Sequence, residues 1–210
     1  MNLGKQEKGS SNYFTKRMAI EAISLAQIKT EGLVAADIGA GVGELTSLLS
    51  PRFRKIYMAD VFAATAIPEN AEFVFADLND KWGISNESID FLFGLEVIEH
   101  IENPRHFFRE VTRVLKKGGH LYLTTPNNHS IYSKLTFFFK GEHRYFQDPS
   151  YPAHITALTK KDFQRIAAEN GLAIVHWSYA NEDAFPGLHF RLKIPGKLFS
   201  QSIGVLMKKP

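Results

Sequence analysis

The sequence predicts an α/β fold: a mostly parallel seven-stranded sheet with helices on both faces, in a single domain spanning residues 1–210. Three observations lead there. Short apolar runs alternate with segments of helical spacing, which calls for a parallel sheet covered on both sides. A glycine-rich turn separates the first apolar run from the first crossover helix. Polar and acidic residues gather at the carboxyl ends of the runs, where open parallel sheets bind their ligands.

The elements follow in order. Phe14, Met18, Ala22, Leu25 and Ala26 recur at helical spacing, so residues 14–27 read as an amphipathic helix. Leu33 to Ile38 is an apolar run stopped by Gly39-Ala40-Gly41-Val42-Gly43. Glu44 to Leu49 then show helical spacing and end near Pro51. Lys55 to Val61 and Ala71 to Leu78 read as the second and third strands; the nine residues between them hold Pro68 and leave room only for a short or irregular crossover. Ser88 to Val97 is a buried fourth strand. Asn103-Pro104 starts a helix with a capping side chain and a proline at the first position. Phe107, Phe108, Val111, Val114 and Leu115 form its apolar face, with Lys116 and Lys117 complementing its negative end and Gly118-Gly119 ending it. Leu121 to Thr125 is the fifth strand. Residues 127–156 lack regular spacing and cluster aromatics. Thr159 to Asp162 begin a helix with a capping-box pattern, Phe163, Ile166 and Ala167 face inward, and Gly171 ends it. Leu172 to Tyr179 and Ser202 to Met207 complete the seven strands.

Composition narrows the function classes. The 210 residues are 44% hydrophobic and 22% charged, enough apolar content for a substantial core. The formal charge of +3 is spread over scattered lysine pairs, which reads as a solvated surface and not as a nucleic-acid footprint. The chain has no cysteine, which excludes disulfides, cysteine-ligated zinc and thiol nucleophiles. Met1 to Ser11 lack the apolar core of a signal peptide, and no run approaches the roughly 18–20 apolar residues of a membrane span. A cytoplasmic protein is expected.

The glycine turn is Asp37-x-Gly39-x-Gly41-x-Gly43. A dinucleotide fingerprint would need a third glycine at position 44, where Glu44 stands and would repel a pyrophosphate at the helix N-terminus. No Gly-Lys-Ser/Thr follows, so a P-loop is absent. The loop suits a ligand without phosphate that approaches the backbone closely. Here the chain resembles class I S-adenosylmethionine (SAM)-dependent methyltransferases, with a Rossmann-like fold, on the residues DIGAGVG (37–43), Asp60 at the end of the second strand, LEVIEH (95–100) and LKKGGHLYLTTPN (115–127). The resemblance covers most of the first 130 residues. It implies that Asp37, Gly39, Gly41 and Gly43 shape the SAM loop and that Asp60 meets the ribose hydroxyls. It also implies that Asp77 and Leu78 flank the adenine and that Glu96 borders the cofactor. Asp77 has a second reading as a plain turn residue in Asp-x-Asn-Asp.

Glu96, Glu99 and His100 follow the fourth strand at spacing i, i+3, i+4, which puts all three on one face if the segment is helical. Two carboxylates and an imidazole there suit a divalent cation, magnesium or manganese. The stretch resembles the E-V-x-E-H element of metal-assisted O-methyltransferases, among them small-RNA 2′-O-methyltransferases and quinone-biosynthesis enzymes. In the RNA family a later histidine, five residues before a helix-opening threonine, completes the metal site; His154 stands five residues before Thr159. The resemblance thus implies Glu96, Glu99, His100 and His154 as ligands. His100 or His154 acting alone as base, or a purely structural turn, are the other readings, and His143 is a competing pocket histidine.

Residues 128–156 and 184–201, mixing aromatic and basic residues, are expected to form a lid over the acceptor. The expected function is SAM-dependent O-methylation of a small-molecule, glycan or lipid-linked acceptor, with peripheral membrane contact. An RNA 2′-O-methyltransferase and a SAM-binding protein without turnover are the alternatives; Glu44 disfavours an NAD-dependent oxidoreductase.

Overall fold

A computed structural model describes residues 12–64, 67–180 and 196–210. Seven strands form one sheet in the order β3-β2-β1-β4-β5-β7-β6. β1 (Val34–Ile38), β2 (Lys55–Asp60), β3 (Ala71–Phe75), β4 (Ile89–Leu95) and β5 (Leu115–Pro126) run parallel. β7 (Ser202–Lys208) inserts antiparallel between β5 and β6 (Ala173–Tyr179). Strand order reverses between β1 and β4, so the crevice outside their carboxyl ends is the switch point of the fold.

Helices with buried apolar stripes cover both faces. α1 (Tyr13–Leu25) is capped by Asn12, whose side chain accepts from Thr15 N at 3.0 Å. It buries Thr15, Met18, Ala19 and Ala22, while Leu25, expected inside, is exposed. With α2 (Glu44–Leu49) it packs on Ala35, Ile56, Phe91 and Phe93. The opposite face carries α3 (Pro104–Val114) and α5 (Lys160–Glu169), which bury Phe107, Phe108, Val111, Val114, Phe163, Ile166 and Ala167. Each of the phenylalanine, valine and isoleucine side chains among them contributes about 1.5–3 kcal/mol of burial, so packing outweighs the helix propensities of these segments. Asn103 caps α3 by accepting from His106 N at 3.0 Å, and Thr159 and Asp162 form the expected capping box on α5.

Two details of the sequence-based expectations are corrected. Gly118 and Gly119 do not end α3. That helix stops at Val114 and the chain enters β5 at once; the register slips between the Ile89–Leu115 and Phe91–His120 pairs, and the glycines sit in the resulting bulge. Gly118 has φ +81°, and a Cβ on Gly119 would lie 2.9 Å from the Lys116 carbonyl. Nor does Lys116 serve the helix end: it pairs with Asp90 at 2.8 Å, and Lys209 Nζ donates to the carbonyls of Thr112 and Leu115. Second, the stretch 127–156 is not irregular throughout. It contains α4 (Ile131–Lys140), capped by Ser130 and closed by Gly141 at φ +76°. A short helix, α6 (Gly196–Phe199), precedes β7. The expected lid residues 184–195 lie outside the described residues.

The β7 insertion depends on Gly204. A Cβ there would sit 2.1 Å from Tyr122 Oη and 2.5 Å from Ser178 Oγ, two groups joined by a 2.7 Å hydrogen bond. Gly204→Ala is expected to lower stability by about 1–3 kcal/mol through overpacking. Urea unfolding measures it, and an unchanged midpoint would contradict this packing.

Candidate active site

The glycine loop leaves the end of β1 and enters α2. Gly39, Gly41 and Gly43 have φ values of +67°, +55° and +85°, where a side chain costs roughly 1–2 kcal/mol per residue. The amides of Gly39 and Ala40 donate to the Ala59 carbonyl at 2.8 and 3.3 Å. The Gly43 amide donates to Ala40 O at 2.9 Å, and the Gly41 amide to Asp60 Oδ2 at 2.8 Å. Four loop amides are therefore engaged with the loop itself and the end of β2. Those four amides are thereby unavailable to a phosphate ligand, and the acid at the first position of α2 would repel one. Glu44 opens α2 and pairs with Lys16 of α1.

Asp60 anchors this loop from β2: its Oδ1 also accepts from Phe62 N at 3.0 Å. Each carboxylate oxygen keeps a further lone pair for a ligand hydroxyl. Asp37 is buried, with Oδ2 accepting from Thr46 Oγ1 at 2.6 Å, so it ties the end of β1 to α2. Burial pushes its pKa up to about 7, against the smaller lowering effect of the Thr46 hydroxyl. Asp77 is exposed and forms a turn, accepting from Asn79 N at 2.9 Å and Asn79 Nδ2 at 3.2 Å. Leu78 beside it is buried.

Beyond β4 no α-helix forms to put Glu96, Glu99 and His100 on one face. Glu96 takes φ +54°, a left-handed conformation at a non-glycine residue, and its amide donates to Thr124 O and Thr124 Oγ1, both at 3.1 Å. Only Ile98–His100 form a single 3-10 turn, so Glu96, Glu99 and His100 do not share a helical face. Such a backbone outlier is characteristic of sites where the surrounding structure fixes a functional turn.

Glu99 is fully buried. Its Oε2 accepts from Thr125 Oγ1 at 3.0 Å, and Oε1 has no hydrogen-bond partner among the described residues. Burial and then the charge of Glu96 push its pKa well above the carboxylate range. The segment carrying His154 is sewn to this turn through the backbone. The amides of Ile155 and Thr156 both donate to Glu99 O at 3.0 Å, and Thr156 Oγ1 donates to Ile101 O. The His100 and His154 rings thus meet edge to face at 4.8 Å, and one ligand atom each from Glu99, His100 and His154 lie within 4.8 Å of one another.

Both histidines have their tautomer set. His100 Nδ1 lies 2.8 Å from Ala153 O and His154 Nδ1 2.7 Å from Tyr145 O. A carbonyl only accepts, so each neutral ring carries its proton on Nδ1 and its lone pair on Nε2. Glu96 is not in the close trio, but with Glu99 and His154 it lines a cavity of about 190 Å³ that also involves Asn12, Tyr145 and Gln201. His143 stands apart, stacked on Phe137 at 4.9 Å and hydrogen-bonded to Ser133 at 3.2 Å. Sequence reasoning missed Thr125 and Tyr145, the groups that orient Glu99 and His154. Thr125 carried a signal in its place at the end of the fifth strand; Tyr145, which acts through its carbonyl, carried none.

Comparison with known proteins adds four findings. Residues 16–177 match the family model described as "Methyltransferase domain". The chain is 30% identical over 116 residues to the mitochondrial ubiquinone biosynthesis O-methyltransferase of Dictyostelium discoideum, covering 46% of this chain and 36% of that protein. It is 22% identical over 154 residues to the malonyl-[acyl-carrier protein] O-methyltransferase of a Paenibacillus species, covering 67% and 55%. The chain therefore spans only about a third to just over half of these relatives. A SAM-dependent methyltransferase structure from Mesorhizobium loti shares the fold at a TM-score of 0.66 and 17% identity, over 92% of this chain and 97% of that one.

The buried Asp37 gives a pH test. Because its folded pKa is raised from 3.8 to about 7, its contribution to stability is full below pH 3.8 and is lost as pH rises toward 7. The loss is bounded at roughly 4 kcal/mol by the size of the shift. Asp37→Asn, which keeps an acceptor for Thr46, is expected to show a flatter stability profile from about pH 4 to 7. Denaturant titrations across that window check this, and parallel profiles for the two proteins would contradict it.

Proposed function

From membership of the methyltransferase domain family, to which this chain belongs over residues 16–177, we propose that it transfers the methyl group of SAM to a hydroxyl acceptor held beside Glu99, His100 and His154. The observation that carries this reading is the convergence of those three side chains at the switch point, next to a glycine loop suited to a ligand without phosphate. The loop residues fit SAM: left-handed glycines permit close approach, and Asp60 retains lone pairs for the ribose hydroxyls. Asp37 holds the loop through Thr46, and Asp77 with Leu78 flanks the adenine side. Glu96 borders both cofactor and acceptor. Bound there, SAM supplies an electrophilic methyl on a sulfonium, and aligning the acceptor oxygen with it accounts for much of the rate.

The remaining requirement is removal of the acceptor's proton. The trio fits a divalent cation on two observations: the unpartnered buried Oε1 of Glu99, and Nε2 lone pairs preset on both histidines by their Nδ1 contacts. Glu99, His100 and His154 would hold it, and a mixed imidazole–carboxylate set suits manganese as well as magnesium. When bound, such a cation lowers the pKa of an acceptor hydroxyl. The second reading has His154 Nε2 take the proton directly, favoured by the same Tyr145 contact, which holds the ring as the required tautomer. Both relatives above are named as O-methyltransferases, one for ubiquinone biosynthesis and one for malonyl-acyl carrier protein, which supports an oxygen acceptor on a small or carrier-linked molecule.

A methyl-label assay across phenolic quinone precursors, acyl thioesters, sugars and RNA tests the proposal. Product is expected from a small hydroxyl-bearing acceptor. Chelation should abolish turnover while SAM still binds, with manganese or magnesium restoring it. Turnover that persists in chelator and disappears in His154→Ala selects the direct base. Asp60→Ala should weaken SAM binding about ten- to a hundred-fold. SAM binding without product from any acceptor would overturn the catalytic reading, and undiminished SAM affinity in folded Asp60→Ala would remove Asp60 from the site.

A further inference from the structure

α4 presents a surface that the fold does not cover with any described residue. Its inner side is anchored. Ser133 is buried, Tyr132 packs edge-on against Phe199 of α6 at 6.2 Å, and Phe137 stacks on His143. Its outer side is apolar: Leu135, Phe138 and Phe139, at helical spacing i, i+3, i+4, are 51%, 79% and 78% exposed. The Phe138 and Phe139 rings touch only 5.1 Å apart, so the face is contiguous. Two phenylalanines exposed to this degree on one helix mark an interaction surface and not a solvated helix.

The charges around this face have one dominant sign. Lys134 and Lys140 are exposed on the helix and Arg144 follows it, while Glu142 is the single acid between residues 131 and 147. Lys140 and Arg144 also line, with Tyr132, Leu135 and Phe139, a surface hollow of about 390 Å³. Aromatic side chains in the centre with cations at the rim match the boundary between acyl chains and headgroups of an anionic membrane.

We infer that the Leu135–Phe138–Phe139 face of α4 docks on an anionic phospholipid bilayer, its phenylalanines entering the acyl boundary and Lys134, Lys140 and Arg144 meeting the headgroup phosphates. The placement has a consequence for access. Tyr145, next to Arg144, lines the cavity that holds Glu99 and His154, so the docked segment borders the wall of that cavity. An acceptor dissolved in or anchored to the bilayer is then brought close to the site. This surface goes beyond the methyl-transfer reading and is tested by lipid binding alone, so either can fail without the other.

Flotation of the whole chain with phosphatidylcholine vesicles, with and without phosphatidylglycerol, is the experiment. The protein is expected to float with the anionic vesicles and at least about tenfold less with phosphatidylcholine alone. The double variant Phe138→Ser/Phe139→Ser should lose binding at least about tenfold while keeping wild-type SAM affinity and circular dichroism. Lys140→Glu/Arg144→Glu should erase the preference for anionic lipid. Failure of the wild-type protein to float, or equal binding by the phenylalanine double variant, would overturn the proposal. So would a concentration-dependent dimer that the same variant abolishes in the absence of lipid binding, since the face then belongs to a second copy of the chain.

Discussion

Gly39 and Val97 stand so close that a methyl group on Gly39 would lie 2.5 Å from Val97 Cγ2. This approach joins the loop after β1 to the turn after β4, the two halves of the proposed site. Valine branches at Cβ and has little rotamer freedom with which to retreat. Only glycine satisfies both the contact and the φ of +67° at this position. The loop is held from its other side by Ala59 O and Asp60, so β1, β2 and β4 set its shape together. The glycine loop and the acceptor element are thus one packed unit.

The same unit explains how a carboxylate comes to be fully buried at Glu99. A charge in the interior is costly, so burial favours the neutral acid at Glu99, and the single hydrogen bond from Thr125 counters this only in part. The fold nevertheless invests several constraints in keeping Glu99 there. Glu96 adopts a left-handed backbone, Thr124 receives its amide twice, and two amides of the His154 segment are tied to Glu99 O. Those backbone ties carry His154, distant in sequence, to His100. Fixing side chains through backbone bonds on rigid strand ends gives the geometric precision that the proposed methyl transfer and proton removal would require.

Much of this was legible in the sequence, for identifiable reasons. The five parallel strands, their glycine turn and the capped helices α3 and α5 each carry a local signature: an apolar run, a left-handed glycine, an Asn-Pro start or a Thr-x-x-Asp box. The closeness of Glu99, His100 and His154 was suggested by a motif and not by periodicity, and the helix on which a shared face with Glu96 depended does not form. A single 3-10 turn after a left-handed Glu96 leaves no periodic trace. α4 escaped because its apolar residues 137–139 are consecutive and mostly exposed, so no buried stripe marks them; its only signals were the caps Ser130 and Gly141. Gly118 and Gly119 misled for the opposite reason. Glycines after a helix usually end it, and here the sheet bulge requires them.

The central claim is that cofactor loop and acceptor trio face one reaction space. A crystal structure of the chain with S-adenosylhomocysteine tests it most directly. The ligand is predicted to lie along Gly39–Gly43, with its ribose on Asp60 and its sulfur open to the cavity lined by Glu99 and His154. A ligand bound elsewhere, or a sulfur walled off from that cavity, would contradict the account.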